Sequence, residues 1–220
     1  MNAPTPPGDD CVVAGHLVVV PEPLERDASL PPVPVLLTVS DCLADRLPHE
    51  GAWFGSRAEA LAACAELPCP AETRVLALLV PASAAPRLAA EVRAAQVEDD
   101  QVLADNLTAP QPLAAGAAPA GWEVLGYDLG LLHSWLCNDL YRDAVTELAV
   151  AAGERGLLRE RAEAEAVAAW ANARTDTKPV TWFAAAVVEW SDRVGRPTTE
   201  PPPPADRDRR RPWWRRATGR

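Results

Sequence analysis

The chain has 220 residues, a formal net charge of −10 and a sequence pI near 4.8, and 48% of its residues are apolar. Acidity on this scale argues against general nucleic-acid binding by the whole chain, and no run approaches the roughly 18 apolar residues a membrane helix needs. Alanine fills 42 positions and isoleucine none, while one lysine stands against 20 arginines, a bias of the kind a GC-rich genome imposes.

Residues 1–10 are polar and Pro-rich, and a disordered N-terminus without a signal peptide is expected there. Val12-Val13 and Leu17–Val20 read as a first strand, and Val35–Val39 as a second, with a loop over 41–51. Ser56-Arg57-Ala58-Glu59 matches a capping box, so a helix is expected from there to about Leu67. Arg74–Val80 is apolar on both faces, which suits an interior strand. A second Ala-rich helix starts near Ser83, with Pro86 in its first turn. Residues 105–121 read as a low-complexity linker dividing the chain into two halves. Beyond it come a strand at Trp122–Tyr127, helices at Leu131–Ala152 and 159–173, and a strand at Val180–Glu189. The order β-β-α-β-α-linker-β-α-α-β predicts an α+β fold, a mixed sheet with helices packed on it. One domain is expected over 11–195, with a possible division at 105–121.

The last segment changes sign. With seven Arg against two Asp, residues 201–220 carry +5, which leaves −15 on the first 200 residues. Such a segment buries too little to order itself, so 196–220 is expected to be a disordered tail. Its Arg210, Arg211, Trp213, Trp214, Arg215 and Arg216 combine cations with interfacial aromatics, the chemistry of a weak contact with an anionic membrane surface.

Cysteines stand at 11, 42, 64, 69 and 137. The odd count and irregular spacing do not form a disulfide framework, so reduced thiols in a cytosol are expected. The densest stretch of uncommon residues is Gly126-Tyr127-Asp128 through His133-Ser134-Trp135-Leu136-Cys137-Asn138. On the expected helix, His133 and Cys137 share a face. Two chemistries follow on paper: a zinc site with Cys64 and Cys69, or a nucleophilic Cys137 with His133 and either Asp128 or Asp139. Against both, free Cys usually acts as a small buried hydrophobe, and no glycine-rich oxyanion turn surrounds Cys137. The plainer expectation is that Trp135 and Cys137 enter the core and that no metal or cofactor binds. No phosphate-cradling glycine motif is present.

Acidic groups gather at Glu98, Asp99, Asp100 and Asp105, and again at Asp139, Asp143 and Glu147. The last three recur every four residues, a stripe of like charges that works against its own helix.

The G-Y-D and H-S-W-L-C-N motifs, together with Trp53-Phe54-Gly55-Ser56-Arg57-Ala58-Glu59-Ala60 upstream and Val180-Thr181-Trp182 downstream, resemble a group of poorly characterised actinobacterial proteins. That group is similar to immunity or antitoxin proteins of bacterial toxin systems, and the resemblance spans roughly residues 50–190. One departure is visible: the group tends to an Asn-Gly-type turn after Leu140, where this chain reads GERGLL. The resemblance implies no catalytic residue. It implies a cytoplasmic, non-enzymatic protein-binding module whose acidic surface neutralises a basic toxin, with no nucleic acid bound through the core. The rival classes are an enzyme or zinc site at His133 and Cys137, and a membrane-surface adaptor working through the tail.

Overall fold

Two runs that are apolar at every position become neighbours at the centre of one sheet. The structure, a computed structural model, describes residues 3–24, 30–47, 53–66, 72–98, 100–137 and 140–190. Among these the chain forms β1 (Cys11–Val20), β2 (Glu22–Leu24), β3 (Val33–Leu36), β4 (Asp45–Leu47), α1 (Arg57–Glu66), β5 (Arg74–Pro81) and α2 (Ala85–Ala95). There follow α3 (Gln101–Thr108), β6 (Ala118–Asp128), β7 (Leu131–Ser134), α4 (Leu140–Leu148), α5 (Arg161–Ala173) and β8 (Phe183–Glu189). Six strands form one sheet in the order β4-β1-β5-β8-β6-β7, and β2 and β3 form a separate hairpin. The α+β class is as expected. The sheet, however, is antiparallel at every ladder instead of mixed.

The central strands are apolar twice over because helices cover both faces. Val75, Ala77 and Leu79 of β5 join Trp182, Ala184, Ala186 and Val188 on one side, packed with buried residues of α1, α4 and α5. Leu76, Leu78 and Val80 join Phe183, Ala185 and Val187 on the other, packed with α2 and α3. The division of residues 180–190 between the two faces is the one the alternation predicts.

The start of α1 also follows its sequence signal: the Glu59 N–H donates to Ser56 Oγ at 3.3 Å. The Glu59 carboxylate reaches back to the Gly55 N–H at 2.9 Å, one residue earlier than a standard capping box.

Four expectations need correction. The segment 105–121 is no divider: it contains the end of α3 and the start of β6, and β8 sits between β5 and β6, interleaving the two halves. Asn106, buried in α3, donates to the carbonyls of Ala14 and Gly55, which fixes that helix on the β1 bulge. The expected helix over 131–152 is a strand, a turn and then the shorter α4, so His133 and Cys137 share no helical face. The loop over 41–51 contains β4. The N-terminus is held from Thr5 to Asp10: the Thr5 N–H donates to the Arg159 carbonyl, and Arg161 pairs with Asp10 at 2.8 Å.

The tail 196–220, with Arg210, Arg211, Trp213, Trp214, Arg215 and Arg216, lies outside the described residues. So do His49, Cys69, Asp99, Asn138 and Asp139. Among the described residues no helix is long and apolar enough to cross a membrane.

Candidate functional site

The β6–β7 hairpin collects the residues of the densest motif. Its register pairs Leu125 with Ser134, Gly126 with His133, Tyr127 with Leu132 and Asp128 with Leu131. The turn is the two-residue Leu129-Gly130, with φ of +50° and +85°. That geometry asks for Asn or Gly at the first position, and Leu occupies it. Leu129 projects outward at 85% exposure, so its strain is returned by no packing within the chain.

Gly126 has a packing role. A Cβ there would lie 2.4 Å from Val180 Cγ2, so only glycine lets the chain before β8 cross this strand. With Val180 seated on Gly126, Lys178 reaches His133, the residue opposite Gly126. The Lys178 ammonium donates to His133 Nε2 at 2.8 Å and lies 3.9 Å from Asp128 Oδ2. His133 is buried, and that burial, followed by the nearby Lys178 charge, holds its pKa below the ordinary value against the opposing pull of Asp128. The imidazole is therefore neutral at pH 7 and serves as the acceptor for the ammonium.

On the opposite face of the hairpin, the Tyr127 hydroxyl donates to Asp100 Oδ2 at 2.7 Å. Burial first, and then this carboxylate, push the phenol far above its ordinary range. Asp100 is thus a buried hydrogen-bond acceptor and no part of an open acidic patch; Glu98 is exposed.

The outer edge of β7 is closed by residues 38–42. The Asp41 N–H donates to the Leu132 carbonyl at 2.8 Å and the Asp41 carboxylate accepts from the Leu132 N–H, which removes a free sheet edge. Glu123 of β6, wholly buried, accepts from the Thr38 hydroxyl and from the Val39 N–H. Cys42 and Cys137 are joined by a disulfide across 95 positions of sequence. This overturns the expectation of reduced thiols at these two positions: proximity in the fold, which spacing does not encode, pairs them. Cys137 is half-buried at the surface end of this clasp and lies outside the core, whereas Trp135 is fully buried with its ring edge-on to Tyr141 at 5.1 Å. Free cysteines among the described residues are Cys11 and Cys64. Among the described residues no group of three or more His, Cys, Asp or Glu is placed to hold a metal.

No protein-family model, curated protein or solved structure matches this chain.

The second site is the corner between α4 and α5. Asp143 and Glu147, expected to repel along α4, share one counter-ion: Arg174 pairs with Asp143 at 2.9 Å, Glu147 at 2.7 Å and Asp176 at 2.7 Å. Its guanidinium stacks over Trp170 at 4.7 Å, and the Trp170 N–H donates to Glu147 at 3.0 Å. Hydrogen bonds from Arg174 hold the Glu147 and Asp176 carboxyls below their ordinary pKa. The helix buries Ala164, Val167, Ala168 and Ala171, and the half-buried Trp170 packs at the edge of that core.

Sequence reasoning missed Lys178, Asp41, Glu123 and Arg174. One of them carried a signal: a single lysine among 20 arginines is a compositional outlier, which genome bias explains in number but not in position.

Proposed function

We propose that this chain is a non-enzymatic protein-binding module of the immunity or antitoxin type, working in the cytoplasm, whose acidic surface receives a cationic protein such as a basic toxin. The observation that carries the reading is the Arg174 corner. Three carboxylates surround one guanidinium, so the cluster keeps a net charge of −2 while its geometry is held by ion pairs and an indole. An acidic surface already ordered before encounter loses little freedom on binding, and complementary charge raises the association rate. The −15 carried by the first 200 residues supplies the long-range field.

The test is association kinetics with the product of the neighbouring reading frame. One-to-one binding is expected, with an association rate that falls steeply with salt. The triple variant Asp143→Asn, Glu147→Gln, Asp176→Asn should lose association rate more than it gains dissociation rate. Identical salt slopes for wild type and variant remove this corner from the interface, and no binding removes the reading. The cytoplasmic placement has its own check, because reducing compartments keep thiols apart. The structure joins Cys42 to Cys137, so the test is whether that bond exists in the cell: alkylation during lysis that traps both as free thiols keeps the cytoplasmic placement, and a persistent disulfide removes it.

A further inference from the structure

Lys178 is the only lysine of the chain, and the fold sets it beside a base. Its side chain is 39% exposed, so the amine is open to a reactant. His133 Nε2 lies 2.8 Å away, within reach to take a proton from the ammonium, and Asp128 Oδ2 lies at 3.9 Å on the other side. Among the described residues, Lys178 and Asp128 are the charged groups that act on His133. The neighbours of the amine in sequence and space, Pro179 and Asp128, line an open groove of about 320 Å³ that continues past Tyr127, Leu129 and Thr181. The turn that presents the lysine is fixed, because the Val180 N–H donates to the Lys178 carbonyl at 2.8 Å. Amine and base therefore coincide at one place, while the groove, which runs on to Glu91 and Ala95 of α2, is lined by the neighbours of the amine and by neither Lys178 nor His133. An arginine here would stay protonated and could not react, which gives the exception to the arginine bias a chemical meaning.

We propose that Lys178 is an acyl-acceptor site, its amine taking an acyl group from a thioester donor while His133 receives the ammonium proton. The imidazole removes one proton from Nζ, and the freed lone pair attacks the thioester carbonyl. A C–N bond forms as the C–S bond breaks, and the thiolate leaves with the second amine proton. His133 then returns its proton to solvent. The products are an amide, a thiol and one proton, and no oxidant or reductant is needed. Acylation cancels the one cation beside Asp128 and makes the hairpin tip more negative by one charge. This inference is independent of the protein-binding reading.

The experiment incubates the full chain with S-acetyl-N-acetylcysteamine between pH 6 and 9, with Nα-acetyl-lysine amide in the same tube as reference, and follows acetylation by mass spectrometry. Lys178 should be acetylated at least about tenfold faster than the reference at pH 7.5, and Lys178→Arg should remove that incorporation. His133→Asn should bring the rate down to that of the reference. Should that variant fail to fold, His133→Gln takes its place with the same expected fall to the reference rate, and a rate that stays about tenfold above the reference overturns the assignment. A Lys178 rate equal to the reference across the pH range also overturns it.

Discussion

The Arg174 corner and the Lys178–His133 pair are each built around a cation, yet they hold it in opposite ways. Arg174, itself only 17% exposed, meets three carboxylates that reach solvent, so water screens each pair and the planar fork holds several partners at once. Lys178 meets one carboxylate at 3.9 Å and a neutral imidazole at 2.8 Å, against a buried strand. The first arrangement is Coulombic and tolerant of small displacements. The second depends on a register, on Gly126 and on the crossing of residues 178–182, so that small displacements separate its members. The difference extends to the scaffolding: the hairpin is clasped by Asp41, Glu123 and a disulfide, and the corner by a half-buried indole.

The largest expected effect is at the clasp. Reduction of Cys42–Cys137, or Cys137→Ser, should lower the unfolding free energy by about 2–5 kcal/mol, the range for native disulfides closing long loops. Urea unfolding with and without dithiothreitol measures it. A reduced protein with unchanged stability would show that Asp41 and Glu123 suffice to close this edge.

Acid separates the two regions next. His133 and His16 both have pKa values held down by burial, and among the described residues the His16 ring nitrogens have no hydrogen-bond partner. Their unfolded pKa is about 6.5. Below that value the unfolded chain takes up protons that the folded chain resists, so stability falls as pH drops from about 6.5 toward the lower folded values. His16 faces Arg57 and Glu59 and lies against Trp190, and His133 faces Lys178 and Asp128. Stability measured from pH 7.5 to 5 should decline, and His133→Asn should flatten part of that decline. Glu147 and Asp176, whose pKa values the Arg174 hydrogen bonds lower, lose their contribution only in more acidic solution.

A smaller effect is expected at the hairpin turn. Leu129→Asn puts a residue that tolerates positive φ into the turn and should raise stability by about 1 kcal/mol. If a partner docks on the exposed leucine, the same variant should weaken that partner while strengthening the fold. The smallest effect belongs to the corner: Arg174→Leu should shift the unfolding midpoint less than any change above, and high salt should erase the difference.

Much of the architecture was legible along the chain. The α1 cap, the doubly apolar β5 and the face alternation of 182–190 are local patterns, and local patterns survive folding. The 131–152 stretch failed for an instructive reason. Its leucines at 136, 140 and 148 keep helical spacing, but Leu129-Gly130 makes a two-residue turn, and pairing with β6 recruits 131–134 into the sheet. A cross-strand partner outweighs weak helical periodicity. The acidic stripe was legible only in part: Asp143 and Glu147 do lie together on α4, and the cation that relieves their repulsion comes from residue 174.

By itself the sequence determined the class of the fold, the two faces of its central strands and the concentration of unusual residues between 126 and 137. Those properties follow from spacing and side-chain type. Only the tertiary structure decided that Cys42 meets Cys137, that Asp100 is buried beneath Tyr127, that Arg174 binds its three carboxylates and that Lys178 meets His133. Each of these joins groups that strand order and helix packing bring together, and the free energy of such a contact exists only once the sheet between them has formed.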